Sequence, residues 1–169
     1  MKNLLLILLI NITFLANAQK IGIGVGLAYS SRNAINLELI GSGGKNNNYK
    51  IGFTYQFSGV KGELVEDQLS NHGRKEDGRG RYFYSIDLGY GKTINKKFHI
   101  DGELSFGSWK YYTNYIDNRF SNDRYHMITD NKFTIGIGIN AGYVINEKVG
   151  LICGVSTLRK LQFGIRLLF

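Results

Sequence analysis

The sequence predicts an all-β protein, an eight-stranded antiparallel up-and-down transmembrane β-barrel, and three observations carry this prediction. Apolar residues alternate with small or polar ones at a period of two along most of the chain, which is typical of strands with two different faces. The 169 residues include 22 Gly, 11 Tyr and 10 Phe but no Pro, a composition that favours sheet. The last nine residues, 161–169, form an alternating apolar strand that ends in Phe169. Such a strand is expected to close a barrel, because lipid does not tolerate an open sheet edge.

The first eighteen residues have the pattern of a cleaved signal peptide. A basic start at Lys2 precedes an apolar run over 4–15, and Ala16-Asn17-Ala18 is a small-x-small cleavage site. The run is short for a transmembrane helix, although an uncleaved anchor remains the alternative. We therefore expect a signal peptide over 1–18 and one outer-membrane β-barrel domain over 19–169. The single cysteine, Cys153, cannot form an internal disulfide and is expected to face lipid.

Eight alternating segments follow the signal peptide. They are 21–29, 35–39, 49–57, 82–90, 97–112, 133–143, 149–155 and 161–169. Most have about the nine to eleven residues that a tilted strand needs to cross a bilayer. The connections after the second, fourth and sixth segments are short or rich in Gly and Asn, whereas 59–80 and 113–131 are long and polar. In an outer-membrane barrel the long loops are extracellular, so 59–80 and 113–131 are the predicted extracellular loops.

Aromatic residues are concentrated at the two ends of the predicted strands. The predicted extracellular row contains Tyr29, Tyr55, Phe57, Tyr82, Tyr84, Tyr112 and Phe133, and the periplasmic row contains Tyr49, Tyr90, Phe98, Tyr143 and Phe169. Aromatic rings with a polar tip favour the headgroup level of a bilayer, while aliphatic residues occupy the middle of each strand. These residues are therefore predicted membrane-interface aromatics.

The opposite face of each strand is small or polar and is predicted to line the barrel interior. Its charged members are Glu38, Lys50, Asp87, His99, Asp101, Glu103 and Arg166, and its other polar members are Asn36, Thr54, Gln56, Ser105, Thr134, Asn140 and Gln162. Phe83 is an apolar exception. Because eight strands leave an interior that side chains can fill, we expect an ion and hydrogen-bond network that plugs the lumen. A narrow polar channel for small solutes is the alternative.

His99, Asp101 and Glu103 stand at i, i+2 and i+4, so they form a column on one strand face with about 7 Å between neighbours. A histidine beside carboxylates could bind a metal or act as a general base, with Ser85 or Ser105 as partner. No nucleophile motif accompanies the column. We therefore expect no enzyme, no metal site and no cofactor, with a lipid A-modifying barrel enzyme as the weaker alternative.

The formal net charge is +8, but the basic residues are dispersed over both sets of turns rather than grouped in a nucleic-acid-binding patch. One set of turns carries Lys45, Lys92, Lys96, Lys97 and Lys148, and the other carries Arg32, Arg79, Arg124, Arg159 and Lys160. Contact with lipid phosphates at both rims is the expected role of these residues, and no nucleic-acid partner is expected.

The chain resembles the small eight-stranded outer-membrane β-barrels, the class that contains the OmpA transmembrane domain and OmpX. The resemblance rests on the Ala16-Asn17-Ala18 signal end, the eight alternating segments, the two aromatic rows and the terminal Phe169. The resemblance covers 19–169. It implies a barrel-assembly signal in Phe163, Ile165, Leu167 and Phe169, which the barrel-assembly machinery reads during insertion. It also implies outer-membrane lipid and lipopolysaccharide as surroundings, in a Gram-negative cell envelope. A peptidoglycan-binding domain after the last strand is not implied.

The expected function is therefore structural or surface-interacting, through the loops 59–80 and 113–131, with an extracellular protein or surface ligand as partner. The narrow porin-like channel and the lipid-modifying enzyme are the alternatives. The rival fold is a soluble lipocalin-like binder, in which the apolar face would line a ligand cavity.

Overall fold

The computed structural model describes residues 23–43, 46–66, 69–70, 74–95, 97–120, 122–146 and 148–169. These residues form nine strands: β1 Ile23–Ser30, β2 Ala34–Gly43, β3 Asn47–Gln56, β4 Glu63–Leu64, β5 Lys75–Ile94, β6 Phe98–Ile116, β7 Arg124–Asn146, β8 Val149–Ser156 and β9 Lys160–Leu168. The predicted signal peptide over 1–18 lies outside the described residues. Within these ranges, no helix is both long and apolar enough to span a membrane.

Eight of the strands described here close into a ring, so the predicted eight-stranded antiparallel barrel is confirmed. Neighbours along the ring are antiparallel, and the ring closes where β9 pairs with β1, with Tyr29 opposite Phe163. The remaining strand, β4, pairs in parallel with β7 at Tyr125 and His126. The terminal apolar strand thus closes the barrel by pairing with the first strand, as its alternation predicts.

The barrel wall has an apolar outer face. Large aliphatic side chains on its strands are exposed: Leu27, Leu39, Ile51, Leu88, Leu104, Ile137, Val155 and Ile165. The side chains between them turn inward, since successive residues of a strand point to opposite faces. Cys153 is also exposed on this outer face. The lipocalin-like arrangement, which needs the apolar face inside, is therefore wrong.

Three strands continue past the barrel at the end opposite Phe169. β5, β6 and β7 have 20, 19 and 23 residues, whereas the five other barrel strands described have eight to ten. We call 57–82 and 110–132 the projection. Within the predicted loops 59–80 and 113–131, the segments 63–64, 75–80, 113–116 and 124–131 are strand, which corrects the assignment of these parts as loops. The strands of the projection carry polar residues on both faces. The alternation of apolar and polar residues that marks the barrel strands is therefore weak there.

The projection is packed on both faces. On one face, the Gly59 N–H donates to the Tyr112 hydroxyl at 3.0 Å, and the Asn114 amide donates to the Gly59 carbonyl at 3.0 Å. Tyr112 is consequently buried, and its prediction as an interface aromatic is wrong. On the other face, the Tyr125 ring lies 5.0 Å from that of Tyr115 and 4.8 Å from that of Phe120. These contacts make the projection an ordered sheet with a small aromatic core.

The ion pairs of the projection include one between a connection and β5 and one within β5. Lys61 Nζ lies 2.9 Å from Asp77 Oδ2, and this hydrogen bond lowers the pKa of the Asp77 carboxyl. Arg79 donates to Glu76 at 2.7 Å and lowers the pKa of that carboxyl in the same way. Because these pairs are exposed, each stabilises the projection only weakly.

Candidate functional site

The structure places the charged members of the predicted inward set inside the barrel. Each of these side chains is buried: Glu38, Lys50, Asp87, His99, Asp101, Glu103 and Arg166. Asn36, Thr54, Ser105, Asn140 and Gln162 are buried with them, whereas Gln56 and Thr134 are half-buried. A buried charge is tolerated only when it is paired and hydrogen-bonded, so the arrangement of partners decides whether this interior is stable.

One cluster of ion pairs lies in the half of the interior nearer Phe169. Lys50 Nζ lies 2.8 Å from both Asp101 Oδ1 and Glu103 Oε2, and 3.5 Å from Glu38 Oε2. Arg166 Nε donates to Glu38 Oε1 at 2.5 Å, and Nη2 lies 3.3 Å from Asp101 Oδ2. Two cations, one from β3 and one from β9, therefore bridge carboxylates of β2 and β6 across the interior of the barrel.

A second cluster lies nearer the projection and is organised by Arg159, which sequence reasoning missed. Arg159 is 1% exposed, and its guanidinium pairs with Asp87 at 3.0 Å and with Glu103, and donates to Thr54 at 3.1 Å. The prediction that Arg159 meets lipid phosphates at the rim is therefore wrong. Glu103 lies in both clusters, since it also pairs with Lys50.

The turn between β8 and β9 explains this position. Leu158 and Arg159 are both buried, so the turn folds into the barrel mouth instead of away from it, and Lys160, with φ of 62°, redirects the chain into β9. Alternation describes strands and not turns, so no period could distinguish Arg159 from the exposed Lys160.

Neutral hydrogen-bonding groups complete the network. Asp87 accepts hydrogen bonds from the Thr54 hydroxyl at 2.5 Å, the Ser85 hydroxyl at 2.9 Å and the Asn36 amide at 2.9 Å. The Asn140 amide donates to Asp101 at 2.9 Å. These bonds fix the carboxylates in place, which is how a buried network becomes rigid.

Apolar side chains close the interior above and below the charges. At the projection end, Ala34, Phe83 and Leu158 form a buried cluster against Trp109, with the Phe83 and Trp109 rings 4.9 Å apart. Ile40 and Ile152 are buried toward the other end. We call the first group the apolar cap. The interior therefore contains buried apolar side chains toward both ends and the two ion clusters between them.

Glycines make room for the long charged side chains. A Cβ atom built on Gly89 would lie 2.4 Å from Cγ of Lys50, and one on Gly26 would lie 2.5 Å from Cγ of Glu38. Real carbon atoms do not approach so closely. At Gly26 and Gly89, the absence of a side chain therefore lets the charged residue of the neighbouring strand lie across the glycine.

Replacing Gly89 with valine is expected to lower the free energy of unfolding by about 1–3 kcal/mol, because the added methyl groups displace Lys50 from its carboxylates. Urea-induced unfolding in lipid vesicles measures the change. Gly102→Val is the matched control, since the nearest atom to a Cβ there is the Tyr90 carbonyl oxygen at 4.0 Å. Equal effects of the two substitutions would contradict the close packing at Gly89.

The members of the His99 column contact other groups of the interior. His99 Nε2 contacts Arg166 Nη1, and Ser105 donates to Glu103 at 3.3 Å rather than to His99. In the described ranges, no three His, Cys, Asp or Glu residues are grouped so as to hold a metal ion. The alternation that places these residues on one face is compatible with a structural network.

The predicted interface aromatics form cross-strand pairs at both ends of the barrel wall. Tyr49 and Tyr90 lie 5.3 Å apart, and Phe98 and Tyr143 lie 4.9 Å apart, at the end near Phe169. At the other end, the Tyr55 ring lies 6.3 Å from Phe57 and 5.9 Å from Tyr82, with Tyr84 opposite Tyr55 and Tyr29 exposed. Phe163, Ile165, Leu167 and Phe169 are all exposed on the outer wall.

Comparison with known proteins gives a similarity in fold. No protein-family model matches the chain, and no curated protein sequence matches it. The outer membrane protein Ail of Yersinia pestis, solved in a phospholipid bilayer nanodisc, is 15% identical over 88% of this chain and 98% of that chain, with a TM-score of 0.52.

Two further structures are similar at a lower score. The crystal structure of Ail, the attachment invasion locus protein, is 13% identical over 88% of this chain and 91% of that chain, with a TM-score of 0.47. Neisserial surface protein A is 13% identical over 88% and 94% of the two chains, with a TM-score of 0.45. The similarity to the nanodisc structure of Ail shows that the chain has the fold of the eight-stranded outer-membrane β-barrel proteins. At 15% sequence identity, this similarity concerns the fold alone.

Proposed function

We propose that this chain is an integral outer-membrane protein without enzymatic activity, and that its projection presents a binding surface outside the cell. The observation that carries the proposal is the contrast between the two parts of the molecule. The barrel interior is filled by the two ion clusters and the apolar cap, whereas the projection extends three strands into an ordered sheet. A filled barrel supplies an anchor, and the projection supplies the surface.

The outer wall supports the membrane part of the proposal. Its aliphatic side chains are exposed between two rows of aromatic residues, as a bilayer requires. With a cleaved signal peptide over 1–18 and Phe169 at the periplasmic end, the projection faces outward. Lipopolysaccharide then surrounds the outer rim, and the barrel-assembly machinery reads the strand that ends in Phe169.

One edge of the projection is open for strand pairing. β7 pairs with β8 only from Gly138 onward and with β4 only at Tyr125 and His126. Among the described strands, nothing pairs with the outer edge of β7 between His126 and Ile137. Unpaired edges bind extended polypeptide segments through backbone hydrogen bonds. We propose an extracellular protein that presents such a segment as the partner.

Trimming the projection tests the proposal. Adhesion to immobilised extracellular proteins is measured for two strains. One strain displays the full chain, and in the other short turns replace 57–80 and 111–131. The proposal expects adhesion to at least one protein to be lost on trimming, at equal amounts of heat-modifiable barrel in the membrane. Equal adhesion of both strains to every protein would contradict it.

A proline at Phe133 is expected to reduce that adhesion about tenfold or more while leaving the barrel intact. Ile137 bonds outward to Thr157, so by alternation Phe133 also directs its N–H to the open edge, and proline removes this donor. Adhesion of displaying cells measures the effect. Phe133→Val is the control, since it removes the ring and keeps the donor. A greater loss for valine than for proline would contradict edge pairing.

The porin-like alternative predicts a different result in planar bilayers. A filled interior is expected to give no steady current, whereas a narrow channel would give discrete conductance steps. Regular steps that persist in the trimmed variant would favour the channel and contradict the anchor.

A further inference from the structure

We propose that Arg32, Arg81 and Trp109 form an anion-binding site at the barrel mouth, which takes the phosphate or sulfate groups of a substituted sugar. We call these three residues the mouth site. The inference goes beyond the strand-pairing function and rests on that proposal only in placing the mouth outside the cell.

The three side chains come from separate parts of the barrel and meet at one place. Arg32 lies in the turn between β1 and β2, Arg81 lies in β5 and Trp109 lies in β6. The Arg81 Cζ atom lies 4.7 Å from the centre of the indole ring, and the Arg32 Cζ atom lies 5.4 Å from it. One aromatic ring therefore contacts two guanidinium groups, which it attracts through its π face.

Two contacts fix the mouth site, one at Trp109 and one at the turn that contains Arg32. Trp109 packs on Phe83 of the apolar cap, so the indole cannot sink into the lumen. The Arg32 carbonyl accepts a hydrogen bond from Gln56 at 2.9 Å, which ties the turn to the end of β3. A site whose parts are fixed before binding loses little conformational entropy on binding.

Within the part of the chain that the structure describes, the indole of Trp109 is the contact given for both guanidinium groups. Among the described residues, neither Arg32 nor Arg81 forms an ion pair or donates a side-chain hydrogen bond to a protein acceptor, whereas Arg159 and Arg166 do both. A guanidinium that contacts an aromatic ring without a hydrogen-bonding partner keeps its N–H groups available to a ligand. Those groups fit the oxygens of phosphate and sulfate in a bidentate manner.

The surroundings favour an anion with more than one charge. Lys132 is the strand partner of Trp109, and its Nζ atom lies 3.2 Å from Asp130. Asp130 pairs with Lys132, and no ion pair of Arg32 or Arg81 is found among the described residues, so these two positive charges are left uncompensated there. Two guanidinium groups on one indole ring are best neutralised by two anionic substituents on one ligand. The half-buried indole provides a surface for a sugar ring that carries them.

Such a ligand has two sources: the phosphorylated sugars of lipopolysaccharide in the surrounding leaflet, or a free phosphorylated or sulfated saccharide. Trp109 is the single tryptophan of the 169-residue chain, so its fluorescence reports on the site. The full barrel in phosphatidylcholine nanodiscs is titrated with inositol hexaphosphate, with myo-inositol as the uncharged control. A saturable spectral change with the first ligand alone is expected, weakened by added salt.

Two paired variants test the residues. The double variant R32Q/R81Q is expected to bind inositol hexaphosphate at least about tenfold more weakly, since each charge-assisted hydrogen bond is worth more than that factor. The variant K92Q/K148Q removes two positive charges at the opposite end and is expected to bind like the parent. Calorimetry measures affinity independently of the indole, and the heat-dependent gel shift verifies folding.

The outcomes separate the proposal from its alternatives. Absence of a saturable change, an equal response to myo-inositol, or equal losses in the two variants would overturn the mouth site. A shift already present in lipopolysaccharide nanodiscs, which R32Q/R81Q abolishes, assigns the ligand to the leaflet, and a shift with soluble ligand only assigns it to a free saccharide. Both results support the site. Neither depends on adhesion, so failure of the strand-pairing proposal is distinguishable.

Discussion

Replacement of Arg159 with alanine is expected to lower the free energy of unfolding by about 3–5 kcal/mol. Its guanidinium pairs with Asp87 and Glu103 in the closed interior, where both carboxylates are almost inaccessible to water. Removing the cation leaves Asp87 without a charged partner and Glu103 with Lys50 alone. Most of the loss comes from these uncompensated charges rather than from the value of the pairs themselves.

Urea-dependent folding into phospholipid vesicles, followed by fluorescence and by gel mobility, measures the effect. Lys160→Ala is the matched control, because Lys160 is the next residue and is exposed. A change within about 0.5 kcal/mol is expected there. If Arg159→Ala were as stable as Lys160→Ala, the inward turn and the cluster that it organises would both be wrong.

Replacement of Ile137 with arginine is expected to destabilise the inserted barrel by about 2–4 kcal/mol. Ile137 is 63% exposed on the outer wall, between Phe133 at one aromatic row and Tyr143 at the other. An exposed isoleucine on a soluble protein would tolerate arginine. On the wall of a membrane barrel, the guanidinium must be drawn out of water into the hydrocarbon.

The same substitution at Ile116 provides the comparison. Ile116 ends β6 in the projection, where it is 39% exposed, and by the proposed orientation it is surrounded by water. A change within about 0.5 kcal/mol is expected at this position. Equal stability of the Ile137→Arg and Ile116→Arg variants in vesicles would contradict a lipid-facing wall.

The barrel was accessible to sequence reasoning because its two faces meet opposite environments. Along the barrel strands, apolar residues of the outer face alternate with small or polar residues of the enclosed inner face. This period of two identifies the residues that point inward. Glu38, Lys50 and Arg166 could be placed in the interior for this reason. Which carboxylate pairs with which cation could not be predicted, because the pairing depends on strand register.

The projection and the inward turn were not accessible in the same way. Beyond the barrel both faces of β5, β6 and β7 are largely polar, so the alternation loses contrast and strands resemble loops. Tyr112 has the sequence pattern of an interface aromatic, but the connection that contains Gly59 covers it in the structure. The alternation of the sequence does not show this contact. Arg159 lies in a turn, where direction follows backbone dihedrals rather than a period.

Gel mobility of the outer-membrane fraction, boiled against unboiled, tests the central claim most directly. A closed membrane barrel resists detergent and migrates faster until it is heated. We expect the chain in that fraction with a clear mobility shift on boiling, and we expect Ile137→Arg to reduce the folded form. Recovery of the chain in the soluble periplasm, with no shift on boiling, would contradict the account.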